Sequence, residues 1–257
     1  MQASNFPEAG DSLAASSSSP PAADAAGAQG PVAVRVWDLP LRLFHWLLVL
    51  CLTGSFITIK VGGSWTEWHL RFGYLALALI LFRVLWGLIG PRYARFTSFL
   101  FPPGRLLAYL RNSAHAPRTL GHNPLGALSV FALLAAVGVQ AGAGLFTSDD
   151  ISVEGPLARL VSNALVERAS WLHHNNEWVI LGLVGLHLGA ILYYRVFKRQ
   201  SLVLPMVVGD KRVARSPAEP VPTLLAARDD ATIRLRAAIA AALAVATTAV
   251  IIYWPIF

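Results

Sequence analysis

The sequence predicts an all-α integral membrane protein, a four-helix transmembrane bundle followed by a fifth, C-terminal transmembrane helix. Hydrophobic residues fill 55% of its 257 positions and charged residues only 14%, against about 25% charge in soluble domains. Five apolar runs, near 41–59, 69–89, 124–146, 176–197 and 235–254, each come close to the roughly twenty residues a bilayer core requires. None alternates with the two-residue period of a barrel strand. Backbone groups in lipid must be satisfied within their own segment, which leaves helices.

Taken in order, residues 1–31 are rich in Ala, Ser, Pro and Gly and lack the basic start and apolar stretch of a signal peptide. They are expected to be a disordered cytoplasmic tail. Residues 32–213 hold the four bundle helices, 214–232 a linker, and 233–257 the additional transmembrane helix. The third span opens on GHNPLG, where Asn123 as a helix cap and Pro124 in the first turn account for the motif without chemistry. Between spans three and four, residues 156–168 place Leu157, Leu160, Val161, Ala164 and Leu165 on one face, which predicts an interfacial helix at the bundle mouth.

The net charge is +7, yet the basic residues are arranged by loop, which indicates topology and not nucleic acid binding. Arg35 and Arg42 precede span one, Arg92, Arg95, Arg105, Arg111 and Arg118 fill the second loop, and Arg195, Lys198, Arg199, Lys211, Arg212 and Arg215 follow span four. These flanks are expected on the cytoplasmic side, with the N-terminus inside and the C-terminus outside. The loop after span three carries Asp149, Asp150, Glu154 and Glu167 against Arg159 and Arg168, as expected on the opposite side.

His173 and His187 are fourteen residues apart. On a helix that spacing brings the second imidazole to within about 40° of the first and about 21 Å further along. Imidazole suits iron, and helix bundles build such sites from facing helices, so one helix can offer ligands to two stacked b-type haems. Partners must lie at matching depths. His45, near the inner start of span one, matches His187, and His69, at the outer start of span two, matches His173. His174 rivals His173 but points about 140° away from the face of His187. His115 and His122 fall in a cytoplasmic loop and are expected to be ordinary loop residues.

Arg83 lies fourteen residues after His69, on the same face one level deeper. A buried arginine needs a partner, and either a haem propionate or, by snorkelling, the inner headgroups would serve. Gly73 and Gly87 follow His69 and Arg83 by four residues. They would admit a macrocycle edge or close helix packing. The single cysteine, Cys51, can form no intrachain disulfide and belongs to no C-x-x-C-H site, so any haem is held by coordination and packing.

Several motifs stand in order along residues 34–213: VRVWDLPLRLFHW at 34–46, HLRFGYLALALILFRVLWGLIGPRYARF at 69–96, LGHNPLGAL at 120–128, and the His173 to His187 segment with its tail LVLPMVVGDKR at 202–212. In these the chain resembles the bacterial cytochrome b561 and nickel-iron hydrogenase b-type cytochrome family. The resemblance implies a four-helix core binding two haem b groups, with ligands carried over to His45, His69, His173 and His187. Members usually follow the histidine opening span four with an acidic residue and an Ala-Asn pair, whereas HHNNEW stands here at 173–178. The fifth span lies outside the resemblance. The function implied is electron transfer between the quinone pool and a redox partner, which would be a periplasmic cytochrome c, a hydrogenase or a dehydrogenase. The competing class is a haem-free membrane anchor or transporter subunit.

Overall fold

The computed structural model describes residues 31–111, 120–149, 153–213 and 226–254. The expected tail (except Pro31), the linker up to residue 225 and His115 lie outside the described residues. Five helices are long and apolar enough to cross a membrane, and they begin and end where local chemistry dictates. Helix α1 (Leu39–Val61) starts at Asp38, whose Oδ1 accepts the Leu41 N–H at 2.9 Å, with Pro40 in the first turn. It stops at Gly62, and Gly62 and Gly63 adopt φ of +72° and +57°. That left-handed pair turns the chain into α2 (Thr66–Ile89), which Gly90 and Pro91 end.

A short amphipathic helix, α3 (Pro103–Arg111), follows before α4 (Pro124–Gly144). Asn123 caps α4 as expected, its Oδ1 accepting the Gly126 N–H at 2.7 Å. Helix α5 (Asn163–Val196) is the longest element, α6 (Val203–Val208) is a short turn of helix, and α7 (Ala231–Tyr253) is capped by Asp230 through the Ile233 N–H at 3.0 Å.

Helix α2 is the centre of the molecule. It packs on α1, on α4 and on α7, while α5 packs principally on α4. The core joins Leu41, Phe44 and Cys51 of α1, Ala76, Leu79, Phe82 and Trp86 of α2, and Ile233, Ala237, Ala240 and Ala244 of α7. Because lipid supplies no hydrophobic drive between helices, association rests on close packing, and the small residues along α7 permit it. The fifth helix therefore docks on the back of α2.

Three features differ from expectation. The fourth span does not begin near 176, since α5 starts at Asn163. Its 34 residues run about 51 Å, well beyond a bilayer core of about 30 Å. The segment NALVERASWLHHNNEW contains no Gly or Pro to stop a helix, so the more polar N-terminal turns run continuously into the apolar ones. The separate interfacial helix over 156–168 is accordingly absent. Ala158–Leu160 form a 3₁₀ turn, Val161 and Ser162 lead out of it, and residues 163–168 are the opening of α5.

The third difference is a two-stranded antiparallel ribbon of β1 (Val32–Arg35) and β2 (Asp210–Val213), with Val32 opposite Val213 and Arg35 opposite Asp210. It ties the entry of α1 to the chain beyond α5, so both ends of the four-helix core lie on one face. Arg35 locks this junction, its Nε donating to Asp210 at 2.6 Å and its Nη1 to Asp229 at 2.7 Å. The Ala227 N–H donates to the Arg35 carbonyl at 2.7 Å. The segment leading into α7 is thereby held to the same face.

Candidate functional site

The four histidines fall into two pairs. His69, near the start of α2, and His173, eleven residues into α5, place their ring centroids 6.1 Å apart with planes at 87°. Two imidazoles sharing one metal through bonds of about 2.0–2.1 Å, each presenting a near-edge nitrogen, stand about 6 Å apart between centroids. Their other nitrogens are fixed by the backbone. His173 Nδ1 lies 2.9 Å from the Gln140 carbonyl, and His69 Nδ1 lies 2.9 Å from the Ser55 carbonyl and 3.0 Å from its hydroxyl. A carbonyl can only accept, so each Nδ1 carries the proton and each Nε2 keeps its lone pair. Such bonds orient a ligating imidazole and raise its basicity.

Polar groups in the spans reinforce the outer pair. Asn176, 8% exposed, donates to the Ala136 carbonyl at 2.8 Å and to Gln140 Oε1 at 2.9 Å. Gln140 Nε2 donates to the His173 carbonyl at 2.9 Å. Helices α4 and α5 are thus pinned at the level of His173. Gly144 leaves room for the ring, since a Cβ there would lie 2.9 Å from His173 Cε1 and 3.1 Å from Nδ1. His174 is exposed on another side of the helix.

The inner pair is His45 of α1 and His187 of α5, which lie near enough to interact electrostatically. The ring of His45 meets Trp46 edge to face, and its buried Nδ1 has no hydrogen-bond partner among the described residues. Arg83 is 2% exposed, which removes snorkelling as its explanation. Its guanidinium lies 4.6 Å from the Phe96 ring, and Nη1 is without a partner among the described residues. A buried guanidinium with an open N–H suits an anionic group such as a propionate.

Space for flat groups lies along the inner walls. A Cβ added at Gly73 of α2, one turn after His69, would meet nothing within 4 Å. Gly87 differs, because the Phe96 ring sits 2.1 Å from where its Cβ would be. Gly87 therefore serves close packing and offers no macrocycle a berth. Among the described residues no three His, Cys, Asp or Glu side chains assemble a metal cluster. The donors the described residues bring together, as in His69 and His173, are imidazoles, a ligand type that would suit haem iron.

Below the inner pair is a polar cap. Asp38 is fully buried, accepts the Trp86 indole N–H at 3.0 Å, and burial pushes its carboxyl above the usual range. His122 is no ordinary loop residue. Its ring lies 4.7 Å from Trp37 and 4.5 Å from Phe99, and burial together with the Arg83 charge pushes its pKa down to about 3. Gln140, Asn176 and Ser55 were not singled out from the sequence. Polar side chains inside apolar spans were the available signal for them.

A membrane helical bundle with histidines brought together between its helices fits the class of membrane b-type cytochromes. The chain belongs to the prokaryotic cytochrome b561 family, whose model matches residues 36–209. Its relatives include the probable Ni/Fe-hydrogenase B-type cytochrome subunit of Azotobacter vinelandii, 26% identical over 212 residues covering 69% of this chain and 88% of that one. The protein of the same name from Bradyrhizobium diazoefficiens is 26% identical, covering 74% and 92%. The probable Ni/Fe-hydrogenase 1 B-type cytochrome subunit of Escherichia coli K12 is 24% identical, covering 68% and 88%. No solved structure matches the chain. Membership makes it a haem-bearing, multi-pass membrane protein of electron transport.

Proposed function

We propose that the chain holds two b haems, one between His69 and His173 and one between His45 and His187, and passes electrons across the membrane between them. The observation that carries this reading is the outer pair, whose ring centroids lie 6.1 Å apart while backbone carbonyls hold both Nδ1 protons and leave both Nε2 lone pairs free. Bound haem supplies reversible one-electron chemistry at iron, and ligation by two imidazoles favours electron transfer over oxygen activation. The protein residues do the rest: Gln140 and Ser55 orient the outer ligands, Asn176 pins α4 to α5, and Arg83 offers its open N–H to an inner propionate.

Basic flanks at the β ribbon and at the loop after α2 favour a cytoplasmic N-terminus in a bacterial inner membrane. The His45 and His187 level is then the inner one. Hydrogenase relatives favour a hydrogenase as the redox partner on the outer side, in preference to a dehydrogenase or a cytochrome c, with the quinone pool completing the path. Potentiometric titration of single variants tests the assignment. His187→Ala is expected to abolish the inner haem and spare the outer one, and His173→Ala the reverse. Loss of the outer haem in His174→Ala with retention in His173→Ala would overturn the ligand set.

A further inference from the structure

Where α2 ends and α7 begins, a cavity of about 280 Å³ is lined by Arg92, Arg95, Arg228 and Arg236 over a floor that includes Ile89 and Ile233. Four arginines line this one cavity, and like charges gathered there repel one another unless an anion joins them. The acids nearby are already committed. Asp230 takes Arg228 at 2.7 Å and caps α7, and Asp229 is shared by Arg35 and Arg234. Arg92, Arg95 and Arg236 form no ion pair with a carboxylate among the described residues.

We propose that this cavity is a binding site for the phosphate of an anionic phospholipid, seated between the family core and the added fifth helix. Its depth decides for lipid. The site lies at the ends of two membrane-spanning helices, the level of the headgroups, and basic pockets between such helices suit acidic headgroups. Beneath it Leu88 and Ile89 of α2 and Leu235 and Ile239 of α7 remain exposed, an apolar surface for acyl chains. The lipid would cement α7 to α2 at an end where its alanine stripe supplies no polar bond. The proposal goes beyond the electron-transfer reading and does not depend on haem.

The test is thermal unfolding of the full chain, followed by tryptophan fluorescence in neutral detergent, with added phosphatidylglycerol, phosphatidylcholine or sodium phosphate. Phosphatidylglycerol is expected to stabilise at several-fold lower mole fraction than phosphatidylcholine. Each neutralised guanidinium is expected to weaken that response about fivefold, so Arg95→Gln with Arg236→Gln removes most of it. The lysine pair Arg95→Lys with Arg236→Lys retains it, as does Lys198→Gln outside the cavity. An unchanged response in the glutamine pair, an equal loss in Lys198→Gln, or protection by sodium phosphate matching that of phosphatidylglycerol would each overturn the proposal.

Discussion

Replacing Gly144 by alanine should damage one haem site and leave the other intact. The new methyl would lie 2.9 Å from His173 Cε1 and 3.1 Å from Nδ1, so the ring must retreat by several tenths of an ångström to reach ordinary contact. It cannot retreat freely, because Nδ1 is held 2.9 Å from the Gln140 carbonyl and the carbonyl of His173 takes the Gln140 side chain at 2.9 Å. Overpacking of this kind costs about 1–3 kcal/mol, or roughly 5- to 160-fold in the equilibrium that keeps the imidazole on iron. The assay is haem content with a redox titration of the α-band in purified Gly144→Ala. The expected result is partial loss or a shifted potential of the outer haem, with the inner haem unchanged. Two unperturbed haems, or equal damage to both, would refute the placement of His173.

Gly73→Leu should leave helix content intact by circular dichroism while haem retention falls, because the leucine would fill the open space beside Gly73 that the proposed haem takes; full haem content would contradict that use. Arg83→Gln removes a buried positive charge that favours the reduced, more negative haem. The inner midpoint potential should therefore fall and the outer one stay in place, as potentiometry would show. His122 gives a pH dependence whose sign is set by its depressed pKa of about 3, against an ordinary value of 6.5. Its stabilising contribution is complete above pH 6.5 and is lost as pH falls towards 3, since the unfolded chain takes up the proton first. The unfolding midpoint of His122→Asn should fall less steeply than that of the native chain over this window.

Much of the fold was legible because membranes impose a length rule. The ends of α1, α4 and α7 coincide with Asp38, Asn123 and Asp230, whose side chains cap them. The start of α5 was not legible from hydropathy, since residues 163–175 mix apolar residues with Asn163, Glu167, Arg168, His173, His174 and Asn175 and are helical throughout. The β ribbon was hidden for another reason, as Arg35 and Asp210 pair across most of the chain and four-residue strands have little pattern of their own. The His173 and His187 spacing needed only helix geometry. Gly87 shows the limit of that geometry, because the ring that fills its face comes from Phe96, beyond the helix. Gln140 and Asn176 acquired meaning only once α4 lay against α5.

The central claim is that four imidazoles hold two haems in one polypeptide. A pyridine haemochrome assay on the full-length, detergent-purified, haem-replete chain measures it directly. Two haem b per chain is the result the account predicts, and one or none would contradict it.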